Sequence, residues 1–279
     1  MVRYLKRLIK KILPKKLINF LVNKFNFKQN QILKKLEFHN YKNISFLGSN
    51  YGGWSFLDNN YLNNKYIISA GLGEDASFDM ELISKYNCKI LVVDPTPRAI
   101  KHYDEIINNQ GKAKSKPYAE GGKQSIHSYD ISRVNKDNFI LINKALYDID
   151  NKELKFFAPP NKKHVSYSLN NWQNNYKETE DYIKVKTITV KSILDKFNIE
   201  NLEMIKLDIE GAAVEVILDM LEKKIFPNQI LVEFDELNKL NDKSIKRFFS
   251  VHKKILSNNY KLTKTCSKFP DFLYLKSSI

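Results

Sequence analysis

Cysteine is nearly absent from this chain: Cys88 and Cys266 are the only two among 279 residues. Two such distant thiols make neither a metal-ligand cluster nor a disulfide framework. They suit a reduced, cytoplasmic compartment, and Cys88, just ahead of an apolar run, is expected to pack as a small apolar residue. No apolar run approaches the roughly 18 residues of a membrane span. The basic N-terminus lacks an unbroken apolar stretch and a small-residue cleavage site, so it is not expected to be a signal peptide. Internal repeats and low-complexity tracts are lacking too. Acidic residues are missing altogether from Met1 to Leu36, a stretch rich in lysine.

What is present is globular in composition, with 43% hydrophobic and 12% aromatic residues. The length permits one domain, or one domain with an appendage. The net charge is +15, from 46 basic and 31 acidic residues. Such a surplus suits an acidic partner: a nucleotide, a phosphorylated glycan carrier, nucleic acid or a membrane surface. A solvated lysine- and asparagine-rich surface explains it equally well. Residues 3–36 form a pattern of two basic amphipathic helices broken at Pro14, with Leu5, Leu8, Ile9 and Ile12 at helical spacing among Arg3, Lys6, Arg7, Lys10 and Lys11. Such helices can lie on an anionic inner membrane face, pack on their own domain, or join a second subunit as a homo-oligomer. The expected division is a basic helical extension over 1–43 and one domain over 44–279.

From residue 44 strands alternate with helices, which predicts a mostly parallel, doubly wound α/β sheet. Strands are expected at 44–48, 66–70, 89–94, 139–146, 204–208 and 229–235, with alternating strands at 154–157 and 182–190 joined by an irregular loop over 161–180. Helices are expected from Asp75 as N-cap, from Pro95-Thr96-Pro97, over 212–223 and over 241–258. A closing hairpin is expected at 260–264 and 272–275. Residues 111–137 are polar and glycine-punctuated and look like a surface insertion.

Three runs carry the chemistry. Tyr66–Ala70 ends in Gly71-Leu72-Gly73-Glu74-Asp75, a turn whose glycines let backbone approach a ligand. Lys89–Val93 ends in Asp94, about 20 residues after the turn, where a carboxylate can take ribose hydroxyls. Met204–Leu207 ends in Asp208-Ile209-Glu210-Gly211. Gly71, Gly73 and Ala76 also satisfy a relaxed dinucleotide fingerprint, so a nicotinamide- or flavin-dependent oxidoreductase is one alternative. Glu74 and Asp75, however, stand where a pyrophosphate would need a helix N-terminus. A ligand with a positive centre and no phosphate suits the turn better, and S-adenosylmethionine is one. A basic module without catalytic activity is a further alternative, although no nucleic-acid motif is present.

Asp208 and Glu210 end one strand, and Glu233 and Asp235 end the next. Converging carboxylates repel and raise at least one pKa, as a general base requires. Asp208 is the expected base, with Glu210, Glu233 and Asp235 as orienting groups or alternates. A divalent ion held by these oxygens and structural pairing with lysines such as Lys206 are the other readings. Hydroxyls among aromatic rings suit a sugar, so Tyr51, Trp54, His164, Ser166, Ser168 and Trp172 are expected to meet the acceptor.

Taken together, Tyr51-Gly-Gly-Trp54, Ser69-Ala-Gly-Leu-Gly-Glu-Asp75, Val93-Asp-Pro-Thr-Pro97, Ser166-Tyr-Ser168 and Lys206-Leu-Asp-Ile-Glu-Gly211 resemble the FkbM family of S-adenosylmethionine-dependent methyltransferases. The likeness spans about residues 45–275. It implies a class I, Rossmann-like methyltransferase fold with seven strands, the last antiparallel. It also implies O-methylation of sugar hydroxyls, as in capsules, lipopolysaccharides and antibiotics, on a nucleotide-linked sugar or a surface glycan. By position Gly71 and Gly73 match the cofactor loop, Asp94 the ribose acid, and Asp208 with Glu210 the acidic motif. Ser69 stands where many methyltransferases carry an acid, which leaves the methionine amine to Glu74 or Asp75. Pro95, Thr96 and Ala145 complete the expected cofactor contacts.

Overall fold

The structure is a computed structural model that describes residues 27–160, 167–171, 174, 176–238, 240–265 and 269–278. Its centre is a seven-stranded sheet. The strands are β3 (Tyr66–Ala70), β4 (Lys89–Val93), β5 (Phe139–Ile142), β9 (Met204–Leu207), β10 (Gln229–Glu233), β11 (Tyr260–Thr263) and β12 (Asp271–Lys276). Their order is β11-β12-β10-β9-β3-β4-β5, and β12 alone runs antiparallel to its neighbours. This is a Rossmann-like methyltransferase topology. The inner strands are apolar without alternation because both faces are covered, as a parallel sheet requires.

Helices α1 (Ser77–Tyr86), α2 (Pro97–Asn108), α3 (Val190–Lys196), α4 (Ala213–Glu222) and α5 (Asp242–Ser257) flank the sheet. One core layer joins Ile205, Leu207, Ile230 and Val232 to α3, α4 and α5. The other joins Ile67, Ile90 and Met204 to α1, α2 and the hairpin of β1 (Ile44–Leu47) and β2 (Trp54–Leu57). Gln229 fastens that hairpin to the sheet, accepting from Leu57 N–H at 2.8 Å and donating to Leu57 O at 3.0 Å. Leading out from β3, the chain lays down β4 and β5 on one side, then returns to add β9 and β10 on the other. Ala70 therefore sits level with both Val93 and Leu207, and the crevice at this switch point is where open α/β sheets bind ligands.

Several expected boundaries move. The run 139–146 is two strands, because Lys144 N–H turns back onto Ile142 O. Its second half, β6 (Ala145–Leu146), joins a separate three-stranded sheet with β7 (Glu153–Phe157) and β8 (Tyr182–Ile188). Helix α1 begins at Ser77, with Ala76 at the cap position, although Asp75 Oδ1 still accepts from Ser77 N–H at 3.0 Å. The strand expected over 229–235 stops at Glu233, and Asp235 opens a 3₁₀ turn. The 111–137 segment is more than a surface insertion, since Tyr129, Ile131 and Val134 are buried in the core.

Residues 27–33 are helical. Ile32 and Leu36 enter the main core, and His39 bridges to Thr263 beside β11. The amphipathic pattern over residues 3–26 lies outside the described residues. Among the described residues, no helix is long and apolar enough to cross a membrane.

Candidate active site

The glycine turn follows β3, and the acidic turn follows β9. Asp208 N–H donates to Ala70 O at 3.1 Å, so the two turns leave the sheet side by side. Gly71 has φ +87°, and a Cβ there would lie 1.9 Å from the carbonyl oxygen of Asp208. Glycine at this position makes room for the neighbouring strand's backbone rather than for a ligand.

Asp94 organises the turn. Its Oδ2 accepts from Leu72 N–H at 2.9 Å and Gly73 N–H at 3.1 Å. Its Oδ1 accepts from Thr96 N–H at 2.9 Å and Thr96 Oγ1–H at 2.7 Å. A carboxylate offers about four lone-pair sites, so all are filled by the chain itself. Pro95 lies between Asp94 and Thr96, half-buried at the strand end.

The acids expected to meet an amine are engaged by protein groups. Asp75 Oδ2 accepts from Ser49 Oγ–H at 2.6 Å and Gln124 Nε2 at 3.1 Å. Glu74 lies 3.1 Å from Lys123 Nζ and 3.6 Å from Arg98. Ala76 N–H, at the start of α1, donates to Tyr129 Oη at 3.0 Å. Burial holds the His102 pKa down, which suits Nε2, 2.8 Å away, to accept the hydrogen bond that the Tyr129 phenol donates. With the amides of Ala76 and Ser77 both committed, the helix start offers a pyrophosphate little, which removes the physical basis of the dinucleotide alternative.

The four carboxylates converge. Asp208, Glu210, Glu233 and Asp235 are each half-buried. Burial raises the Asp208 pKa, Lys206 and a hydrogen bond from Glu233 oppose the rise, and Asp94 adds to it. Burial first, then Asp208, Asp235, Asp271 and Glu210, push Glu233 well above the usual carboxylate range. Asp235 is likewise pushed well up by burial, with Glu210, Asp208 and Glu236 adding repulsion. Glu233 thus holds a proton more readily than Asp208, whose rise Lys206 opposes. Gly211 N–H donates to Asp235 Oδ2 at 2.6 Å, and Asn238 Nδ2 reaches both Glu233 at 3.0 Å and Asp235 at 3.1 Å. Glu210 itself adopts φ +39°, a conformation that costs a non-glycine residue about 1–3 kcal/mol and recurs at functional sites. Among the described residues no group of three or more His, Cys, Asp or Glu is arranged to hold a metal ion.

Tyr51 stands over this floor. It is 59% exposed, and its phenol is pushed up to about 12, by desolvation first and then by Asp208, Glu210, Glu233 and Asp75. Its ring lies against Gly122 of the 111–137 segment.

Other expected contacts fall elsewhere. Trp54, 4% exposed, is beneath the turn, with its ring facing Lys206 Nζ at 5.8 Å. Ala145 is packed with Phe156 and Val185 in the small sheet's core. Ser168 is buried with an unpartnered hydroxyl, and its backbone pairs with Phe157. Ser69 is 1% exposed and faces the buried Asp79 of α1 rather than the cleft. His164, Ser166 and Trp172 lie outside the described residues. Sequence patterns did not single out Ser49, Gln124, Tyr129 or Asn238.

A profile of the family described as "Methyltransferase FkbM domain" matches residues 51–262, which takes in the glycine turn, Asp94 and the whole carboxylate floor. No curated protein and no solved structure gives a significant match. The extent of that match, over a sheet of this order and a crevice at this switch point, means that the chain belongs to the FkbM methyltransferase family.

Proposed function

We propose that the protein is an S-adenosylmethionine-dependent O-methyltransferase acting on a sugar hydroxyl of a nucleotide-linked sugar or surface glycan. The observation that carries this reading is the convergence of Asp208, Glu210 and Glu233 under the Tyr51 phenol, beside the 71–75 turn. The donor set also fits the cofactor: it is acidic and free of phosphate-binding geometry, as a sulfonium nucleoside with an ammonium group prefers. Bound there, S-adenosylmethionine supplies an electrophilic methyl group.

The chain's own residues do the rest. Asp94 takes ribose hydroxyls in exchange for the Thr96 hydroxyl, a rotor that can turn away. Asp208, beside Lys206, would accept the proton of the acceptor hydroxyl as its oxygen takes the methyl carbon and the methyl–sulfur bond of the cofactor breaks. Glu233, hydrogen-bonded to Asp208 and itself held by Asn238, keeps Asp208 oriented. Tyr51 offers an aromatic face and a hydroxyl to the sugar. The net positive charge of the chain favours a phosphorylated acceptor. The capsule or lipopolysaccharide role and a cytoplasmic location at the inner membrane face belong to the same proposal. Both are proposed because they match this acceptor class.

The test is incubation with labelled S-adenosylmethionine and a panel of nucleotide-sugars, followed by mass spectrometry for a gain of one CH₂. Asp208→Asn should lower turnover by about 10²–10⁴ with cofactor affinity retained. Absence of cofactor binding by the wild type, or unchanged turnover in Asp208→Asn, overturns the reading.

A further inference from the structure

Lys206 is anomalous in its surroundings. It sits in β9, whose other residues Met204, Ile205 and Leu207 are apolar, and it is itself 4% exposed. Burying an ammonium costs several kcal/mol, and a methionine or leucine suits a strand covered on both faces. The polar groups around Lys206 show what it does. Its Nζ donates to Gly71 O at 2.6 Å. The Trp54 ring closes one side at 5.8 Å, a cation–π arrangement.

The next atoms of the same peptide unit complete the picture. Gly71 contributes the carbonyl that Lys206 holds, and Leu72 contributes the N–H that Asp94 holds at 2.9 Å. A single peptide plane is therefore clamped between a buried cation on β9 and a carboxylate at the end of β4. Its dipole is aligned with both charges. We propose that Lys206 is a positioning residue for methyl transfer, fixing the Gly71–Leu72 peptide from below so that Asp94 and the 71–75 turn are preorganised for the cofactor.

The same cation works on the acid floor. It counters the rise in the Asp208 pKa, which burial causes and Asp94 increases, while Glu233 donates to Asp208 from β10. Glu210 and Asp235 complete the charges around this floor, Tyr51 faces it from above, and Asp79 of α1, near Asp75, faces Lys206 from below. This second effect rests on the reading of Asp208 as the proton acceptor, whereas the clamp does not.

Two variants separate the effects. Lys206→Met removes both the donor and the charge. Lys206→Gln removes the charge and leaves an N–H donor one atom shorter. For Lys206→Met we expect a lower Tm, because Gly71 O and the buried acids lose their partner, and amide hydrogen exchange in the free protein that quickens more at Leu72 and Gly73 than at core amides. S-adenosylhomocysteine affinity, by calorimetry, should fall about tenfold or more, as for loss of a charge-assisted hydrogen bond. In both variants the acid limb of the pH–rate profile should move to higher pH, because Asp208 loses its cationic neighbour. Wild-type exchange at Leu72 and Gly73 in Lys206→Met overturns the clamp, and this readout needs neither cofactor nor turnover. Should Lys206→Met not fold, amide exchange at Leu72 and Gly73 in Lys206→Gln, whose shorter donor reaches Gly71 O less well, carries the test, and wild-type exchange there overturns the clamp. Loss of turnover with neither a shifted limb nor faster exchange marks a merely structural lysine.

Discussion

Replacing Gly71 by alanine adds one carbon and should disable the site. The residue sits at φ +87°, where a side chain costs about 1–3 kcal/mol. The added Cβ would stand 1.9 Å from Asp208 O and 2.8 Å from Asp208 C. Ordinary contact begins near 3.4 Å, so something must retreat by about 1.5 Å. The atom in the way is backbone, fixed by the bond from Asp208 N–H to Ala70 O, and overpacking of that kind costs about another 1–3 kcal/mol. In a chain of this size each kcal/mol lowers Tm by roughly 2–4 °C. The chain can relieve the strain by moving either the glycine turn or the acidic turn. Both line the proposed pocket, and a displacement of about 1 Å can cost a factor of 10² in rate. Gly71→Ala should therefore melt some 5–20 °C lower, if the two costs add at those rates. Its S-adenosylhomocysteine affinity should fall at least tenfold by calorimetry. Wild-type affinity together with wild-type Tm would refute the steric argument.

Other perturbations probe separate parts of the account. Tyr129→Phe leaves Ala76 N–H and His102 Nε2 without a partner in the core. It should cost about 2–4 kcal/mol in urea unfolding, and a loss below 0.5 kcal/mol would contradict the assigned network. Glu233→Gln should flatten the fall of stability with pH. The raised pKa of Glu233 means that the folded state holds a proton the unfolded chain releases above its ordinary value near 4.3, so stability declines as pH rises towards the folded value. Asp208, Asp235 and Asp79, all shifted the same way, keep part of the slope in the variant. An identical Tm-versus-pH curve for variant and wild type would count against protonated Glu233. Gly122→Ala places a Cβ 2.5 Å from the Tyr51 ring edge. Because a surface side chain can give way, Tm should stay within about 2 °C, while the acceptor KM changes several-fold and cofactor affinity holds. An unchanged KM would remove Tyr51 from the acceptor site.

Much of the architecture was legible because the sheet is built from unalternating apolar runs whose ends carry the chemistry. Tyr66–Ala70, Lys89–Val93 and Met204–Leu207 lie side by side as strand neighbours, so their spacing located Asp94 and Asp208 correctly at one edge. The split of 139–146 was not legible. The apolar pattern resumes at Ala145 after two polar residues, and only the Lys144 turn shows that the partner strand changes. Trp54 looked like a ligand platform because an aromatic beside two glycines is ambiguous. Burial assigns it to the core, above a lysine that sequence spacing marked only as a countercharge. Gly71 was expected to clear space for a ligand, yet the backbone of Asp208 fills that space. The same holds for Asp94, whose four donors come from residues 72, 73 and 96. Hydrogen-bond saturation is a three-dimensional property that residue spacing does not carry. Tyr129 was hidden by its setting, a polar stretch that nonetheless folds back onto the start of α1.

The most direct test of the central claim is a crystal structure of the protein with S-adenosylhomocysteine. The account predicts the ribose hydroxyls on Asp94 with the Thr96 hydroxyl turned away, and the sulfur facing the floor of Asp208 and Glu233 beneath Tyr51. A nucleoside bound elsewhere, or one that touches neither Asp94 nor the 71–75 turn, would contradict it.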